Sequence, residues 1–146
     1  MIAAAAIVVA LAAPAPQQEA PVVVHKKQEC NTRSCEKRVA VKKWKRNQTQ
    51  LRRACGRGVV PACIDRAANL YRVDRYMLRR KAWCESHMNP GAYNPSGASG
   101  LFQFLGSTWA STPYGKRGKS VWVAKWAALG AAWMHRVGRG GEWVCQ

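Results

Sequence analysis

From residue 61 onward the chain alternates helical periodicity with turn-forming runs. In ACIDRAANLYRV, Ile64, Ala67, Ala68 and Tyr71 recur at i, i+3, i+4 and i+7, which is one face of a helix. Pro61 suits the first turn of that helix and Asp65 its positive end. Asp74 reads as the N-cap of a second helix over about 75–86, whose stripe is Leu78, Ala82 and Glu85. Asn89-Pro90-Gly91 and Asn94-Pro95-Ser96-Gly97 are turn formers. Leu101 to Leu105 is a short apolar run in which Gln103 is the polar member. Ser107-Thr108-Trp109 opens a short helix, and 113–118 is a loop. The last helix is capped by Ser120 and ended by Gly138. It carries Trp122, Trp126, Leu129 and Trp133 at i, i+4, i+7 and i+11, a stripe that reads as core. No alternating strand is evident. The pattern predicts a mainly α domain over 61–146, with a loop or short hairpin after Glu85.

The N-terminal part has a different character. MIAAAAIVVALAA is apolar but too short for a membrane-spanning helix, which needs about 20 residues. It suits the apolar region of a secretory signal, with Ala10-Leu11-Ala12 or Ala13-Pro14-Ala15 as small-residue cleavage sites, although no basic residue precedes it. Residues 1–15 therefore read as a signal peptide, and residues 16–60 as a linker followed by a basic arm. That arm carries Lys37, Arg38, Lys42, Lys43, Lys45, Arg46, Arg52, Arg53 and Arg57. Its apolar positions, Val39, Val41, Trp44 and Leu51, make no helical stripe, so a frayed helix and a disordered arm both stay open.

Charge and cysteines narrow the class. Twenty-four Lys and Arg against seven Asp and Glu give a formal charge of +17, which favours anionic partners: nucleic acid, a membrane surface or an acidic cell wall. Six cysteines in a short exported chain point to disulfides, and CNTRSC and CGRGVVPAC can each close a small loop. The irregular spacing, without a paired CxxC or HxxxH, argues against zinc.

Glu85 is the carboxylate that invites chemistry. It shares a face with Leu78 and Ala82 and lies in the last turn of its helix. Burial and the negative helix end both disfavour the ionised form, so a raised pKa is expected, as a general acid requires. A solvent-facing Glu, or one capping a loop amide, is the competing reading.

The stretch ESHMNPGAYNPSGASGLFQFLGSTW resembles the signature of lysozyme-like lytic transglycosylases. The matching positions are Glu85-Ser86, Asn89-Pro90, Gly97-Ala98-Ser99-Gly100-Leu101-Phe102-Gln103 and Thr108, with ANLYRVDRYML similar to the family's entry into the catalytic helix. The resemblance covers about 61–146 and implies an α+β lysozyme-like fold. It implies that Glu85 protonates the bond between N-acetylmuramic acid and N-acetylglucosamine, then takes a proton from the sugar's own C6 hydroxyl to leave an anhydro product; water attacking instead gives plain hydrolysis, as in a lysozyme-type glycoside hydrolase. It implies substrate contacts from Ser86, Asn94, Ser99, Phe102 and Gln103, with Tyr93 and Trp109 further possibilities, and needs no metal or cofactor. Cys84 before the Glu, and Trp143 and Cys145 near the end, resemble the resuscitation-promoting factors and related actinobacterial or phage domains. That resemblance implies a Cys84–Cys145 disulfide.

The residues fit a single acid better than a pair. No Asp or Glu lies between Glu85 and Glu142, and Asp74 is about 16 Å away along the helix. Asp65 has no assigned place, and Glu142 is expected outside the site. Two departures from the family stand out. The final helix, SVWVAKWAALGAAW, lacks the usual Asp-Pro or Asn step, and the later cleft Tyr has only Tyr114 to fill it. The expectation is a secreted, monomeric enzyme on peptidoglycan strands, in the wall or on a phage virion, with the basic arm on anionic wall polymers. The alternatives are a non-catalytic wall-binding module and a basic nucleic-acid-binding protein.

Overall fold

A computed structural model describes residues 32–143. The expected signal peptide, Cys30 and Cys145 lie outside the described residues. Five α-helices follow in order: α1 (Arg33–Gly56), α2 (Val60–Tyr71), α3 (Arg75–Ser86), α4 (Gly106–Ser111) and α5 (Ala124–Arg136). Short 3-10 turns cover Gly115–Arg117 and Gly140–Glu142. No strand forms among the described residues. The loop after α3 instead closes through two isolated antiparallel bridges, Tyr93 to Ser99 and Ser99 to Phe104.

The basic segment is one continuous helix. Thr32 caps α1 by accepting the Cys35 amide, and Glu36 sits in its positive first turn. Lys, Arg, Ala and Gln favour helix without needing an apolar stripe. Cys55 is the one buried residue of α1. It pairs with Cys63 of α2 across the turn at Gly58 (φ 85°), stapling a helical hairpin. Closing a loop this short stabilises by about 2–3 kcal/mol in a chain-entropy account. At 1.5 Å per residue α1 is about 36 Å long and α2 about 18 Å, so the N-terminal turns of α1 overhang its partner.

The core lies where α2 crosses α5. Ile64, Ala67 and Ala68 on α2 share the core with Ala127, Ala128, Ala131 and Ala132 of α5, with Leu129 and Met134 beside them. Gly130 of α5 faces Trp109, whose ring a Cβ would approach to 2.7 Å. Small residues, and not the tryptophan stripe, supply most of the α5 side of this core. Trp122 is exposed and outside the helix, and Trp126 and Trp133 lie half-buried on its flanks. Helix α5 starts after Val123 rather than at Ser120, whose hydroxyl instead accepts the Trp122 amide within a turn. Leu78, Leu101, Phe102 and Phe104 complete the core, each worth about 1.5–3 kcal/mol when fully buried.

Two acids are spent on architecture. Asp74 caps α3, accepting the amides of Tyr76 and Met77. Asp65 is buried, away from the first turn of α2, and accepts two hydrogen bonds from Arg79 at 2.7 and 2.6 Å, joining α2 to α3.

Candidate active site

Helix α3 ends with Glu85 and Ser86, and the chain then reverses through His87 and Met88, both in the left-handed region (φ 51° and 64°). Ser86 is buried and donates to the carbonyls of Ala82 and Leu101, at 3.1 and 2.8 Å. Its hydroxyl thus fastens the helix end to the Gly-rich loop. Gly100 (φ 77°) lies against the Val121 carbonyl, which a Cβ would approach to 2.6 Å. This tight corner turns the loop back over α3.

A cleft of about 280 Å³ opens between these elements, lined by Glu85, Asn94, Ser96, Ala98, Gln103, Glu142 and Trp143. Glu85 is half-buried there. Gln103 holds a positive φ of 47° and donates its amide nitrogen to the carbonyls of Ala92 and Gly100. Asn94 is exposed and uses its side-chain oxygen to accept the Ser96 amide, an Asx-turn that shapes the rim.

Of the residues expected to contact substrate, the cleft therefore gathers Asn94 and Gln103 around Glu85. Ser86, Ser99 and Phe102 do not line it. Ser99 is a ladder residue between the two bridges, and Phe102 is fully buried against Phe104 and Trp143. Tyr93 is exposed and faces Trp122, with ring centroids 6.4 Å apart. Tyr114 is half-buried beside Trp126 and shares a hydrogen bond with Tyr71. Burial, with that bond, pushes its phenol well above the ordinary range. It serves the packing of the Gly115–Arg117 turn, not the cleft. Cys84 is disulfide-bonded, and its expected partner Cys145 lies outside the described residues.

Glu142 corrects the reading that kept it away from the site, for it lines the cleft with Glu85. Its segment is held at several points. Lys81, buried one turn before Glu85, donates to the Gly140 carbonyl at 3.1 Å and lies over the Trp143 ring. Burial lowers the Lys81 pKa, and attraction to Glu85 offsets part of that shift. Trp143 is buried, donates to the Phe102 carbonyl at 2.6 Å and stacks on His135.

His135 carries a pH dependence. Burial, then repulsion from Lys81, lowers its pKa below the usual 6.5, and its Nε2 is buried without a hydrogen-bond partner among the described residues. The unfolded chain therefore binds a proton more readily than the folded one. Stability is full above the ordinary imidazole range and falls as pH drops through it. His135→Phe keeps the stack on Trp143 and removes the titration. Melting temperatures compared at pH 5 and pH 7.5 should differ less in the variant than in the wild type.

Residues 62–125 match the family model of the transglycosylase SLT domain. The stretch from α2 to the start of α5 is therefore similar to a transglycosylase SLT domain. No curated protein and no solved structure matches the chain. The SLT segment contains α3, the Gly-rich loop and α4, so it supplies Glu85, Asn94 and Gln103 to the cleft. Glu142 and Trp143 lie beyond it. Mainly helical architecture around a loop-lined cleft is that of a small lysozyme-like domain, and an SLT domain implies glycosidase-type action on peptidoglycan.

Proposed function

We propose that this chain is an exported enzyme that cuts the β-1,4 bond between N-acetylmuramic acid and N-acetylglucosamine, with Glu85 as the one group that moves protons. The observation that carries this reading is the cleft in which Glu85 meets Gln103 and Asn94, all three within the SLT segment. The protonated Glu85 gives its proton to the bridging oxygen. The C–O bond breaks with its electron pair on that oxygen, and positive charge develops at the muramic ring. The resulting carboxylate then takes the proton of the ring's own C6 hydroxyl as that oxygen closes on the anomeric carbon. Gln103, its amide nitrogen already engaged with backbone, offers its amide oxygen to a sugar hydroxyl. No metal or cofactor enters these steps.

Export, and kinship with the resuscitation-promoting factors, rest on the apolar N-terminus and on Cys84, Trp143 and Cys145. Digesting purified peptidoglycan and weighing the fragments tests the activity. Anhydro-ended muropeptides support it. If no fragments appear and the protein still pellets with the wall, a binding module replaces the enzyme.

Helix α1 is read as the wall anchor. Lys37, Arg38, Lys42 and Lys45 are exposed along its overhanging part, and teichoic acids and stem-peptide carboxylates are anionic. Exposed charges are screened over about 8 Å at physiological salt, so anchoring should weaken as salt rises. Replacing these four residues by Gln should lower wall pelleting several-fold and flatten its salt dependence. Turnover of soluble glycan fragments should stay unchanged.

A further inference from the structure

Glu142 is the second carboxylate of the cleft, and nothing in the SLT segment accounts for it. The backbone before it is tied to α3 by Lys81 through the Gly140 carbonyl. The residue after it, Trp143, is locked to the Phe102 carbonyl. Its own carboxylate accepts from Arg139 at both oxygens, Nε to Oε1 and Nη2 to Oε2. Arg139 in turn donates to Ser111 of α4 at 2.9 Å. The 3-10 turn Gly140–Glu142 admits no bulk behind it: a Cβ at Gly140 would overlap the His135 ring. Asp65 and Asp74 are committed to Arg79 and to the α3 cap, and neither lines the cleft.

We propose that Glu142 is a second catalytic carboxylate, which contacts the muramic ring and stabilises the positive charge that develops there when Glu85 releases the leaving oxygen. The inference rests on the cleavage reading above. Glu142 forms no covalent bond and moves no proton. It supplies fixed negative charge where positive charge appears, and fixed groups stabilise a transition state without reorganising. A carboxylate has about four lone-pair sites, so the Arg139 fork leaves acceptor capacity for the sugar. Arg139 also neutralises part of the charge, so the gain is modest beside that of Glu85. Glu85 and Glu142 line the same cleft, of about 280 Å³.

Steady-state cleavage of a soluble glycan fragment by the wild type, Glu142→Gln and Glu142→Gly tests this. Melting curves must show that each variant folds. Glu142→Gln should lower kcat about 10- to 100-fold with KM nearly unchanged, since the lost interaction belongs to the transition state. Glu142→Gly vacates the Arg139 fork, and added formate should bind there and restore part of kcat. A folded Glu142→Gln with wild-type kcat overturns the proposal. So does a loss that appears in KM alone, which makes Glu142 a binding residue, or a failure of formate to raise kcat of folded Glu142→Gly. A wild type that cleaves nothing overturns the cleavage reading and this inference together, whereas an active wild type with an equally active Glu142→Gln sinks the inference alone. If Glu142→Gln does not fold, Glu142→Asp decides: an intact fold with unchanged kcat overturns the proposal, and a lowered kcat at constant KM supports it.

Discussion

Glu85→Gln is expected to lower glycan cleavage roughly 100- to 10,000-fold, the range for losing a positioned general acid. The substitution keeps the shape of the side chain and removes its transferable proton. Glu85 is half-buried at a helix end and attracts the buried Lys81, so loss of its charge should lower the melting temperature only modestly and leave the fold intact. Substrate should still bind, because Asn94, Gln103 and the Gly-rich rim are untouched. Mass analysis of digested peptidoglycan is the measurement. Anhydro-ended fragments should disappear in the variant. Reducing-end fragments in the wild type would keep Glu85 and make the reaction a hydrolysis. Full activity in Glu85→Gln would remove Glu85 from the mechanism.

Trp143→Ala should be the most damaging change outside Glu85, costing about 3–5 kcal/mol of stability, as expected for a buried Trp reduced to Ala. Trp143 contacts Phe102 and Phe104 edge-on, stacks on His135, lies under Lys81 and donates to the Phe102 carbonyl. Truncation leaves a cavity among these groups and a buried carbonyl without its donor. It also frees the wall of the cleft, so activity should fall even below the melting transition. Urea unfolding followed by circular dichroism measures the first effect, and the digest of the folded fraction the second. A loss under about 0.5 kcal/mol would mean that Trp143 does not hold the wall, since surface substitutions fall within about that limit.

Much of the site is legible because it is local. Asp74, the α3 stripe and the turn formers after Ser86 depend on neighbours within a few residues, and the structure reproduces them. Glu85, Asn94 and Gln103 fall on one short stretch, so a motif can bring them together. Lys81 was within reach of the same spacing, since it precedes Glu85 by one helical turn. An amphipathic count passes over it because a lysine reads as solvent-facing. Its burial follows from the Gly140 carbonyl and the Trp143 ring, which arrive from the far end of the chain.

The tryptophans of the last helix mislead for a related reason. A periodic stripe says which residues share a face, not which face the neighbour covers. In α5 the neighbour is α2, and two Ala-rich surfaces exclude bulky rings from the closest contact. Helix α1 is the reverse case. Its apolar residues have no helical period, yet favourable propensity, the Thr32 cap and the Cys55–Cys63 staple are sufficient.

The helices of the SLT segment, the turn chemistry after Ser86, the basic character of α1 and the choice of Glu85 as the candidate acid all follow from the order of residues along the chain. Each depends on backbone preference or on residues a few positions apart. Which acids remain for the cleft depends instead on how distant segments pack. Asp65 is taken by Arg79 and Asp74 by a helix end, while Glu142 is brought to Glu85 from fifty-seven positions along the chain. That meeting depends on long-range packing of Trp143 and Lys81, and no local preference encodes the distance between residues joined only by a shared core.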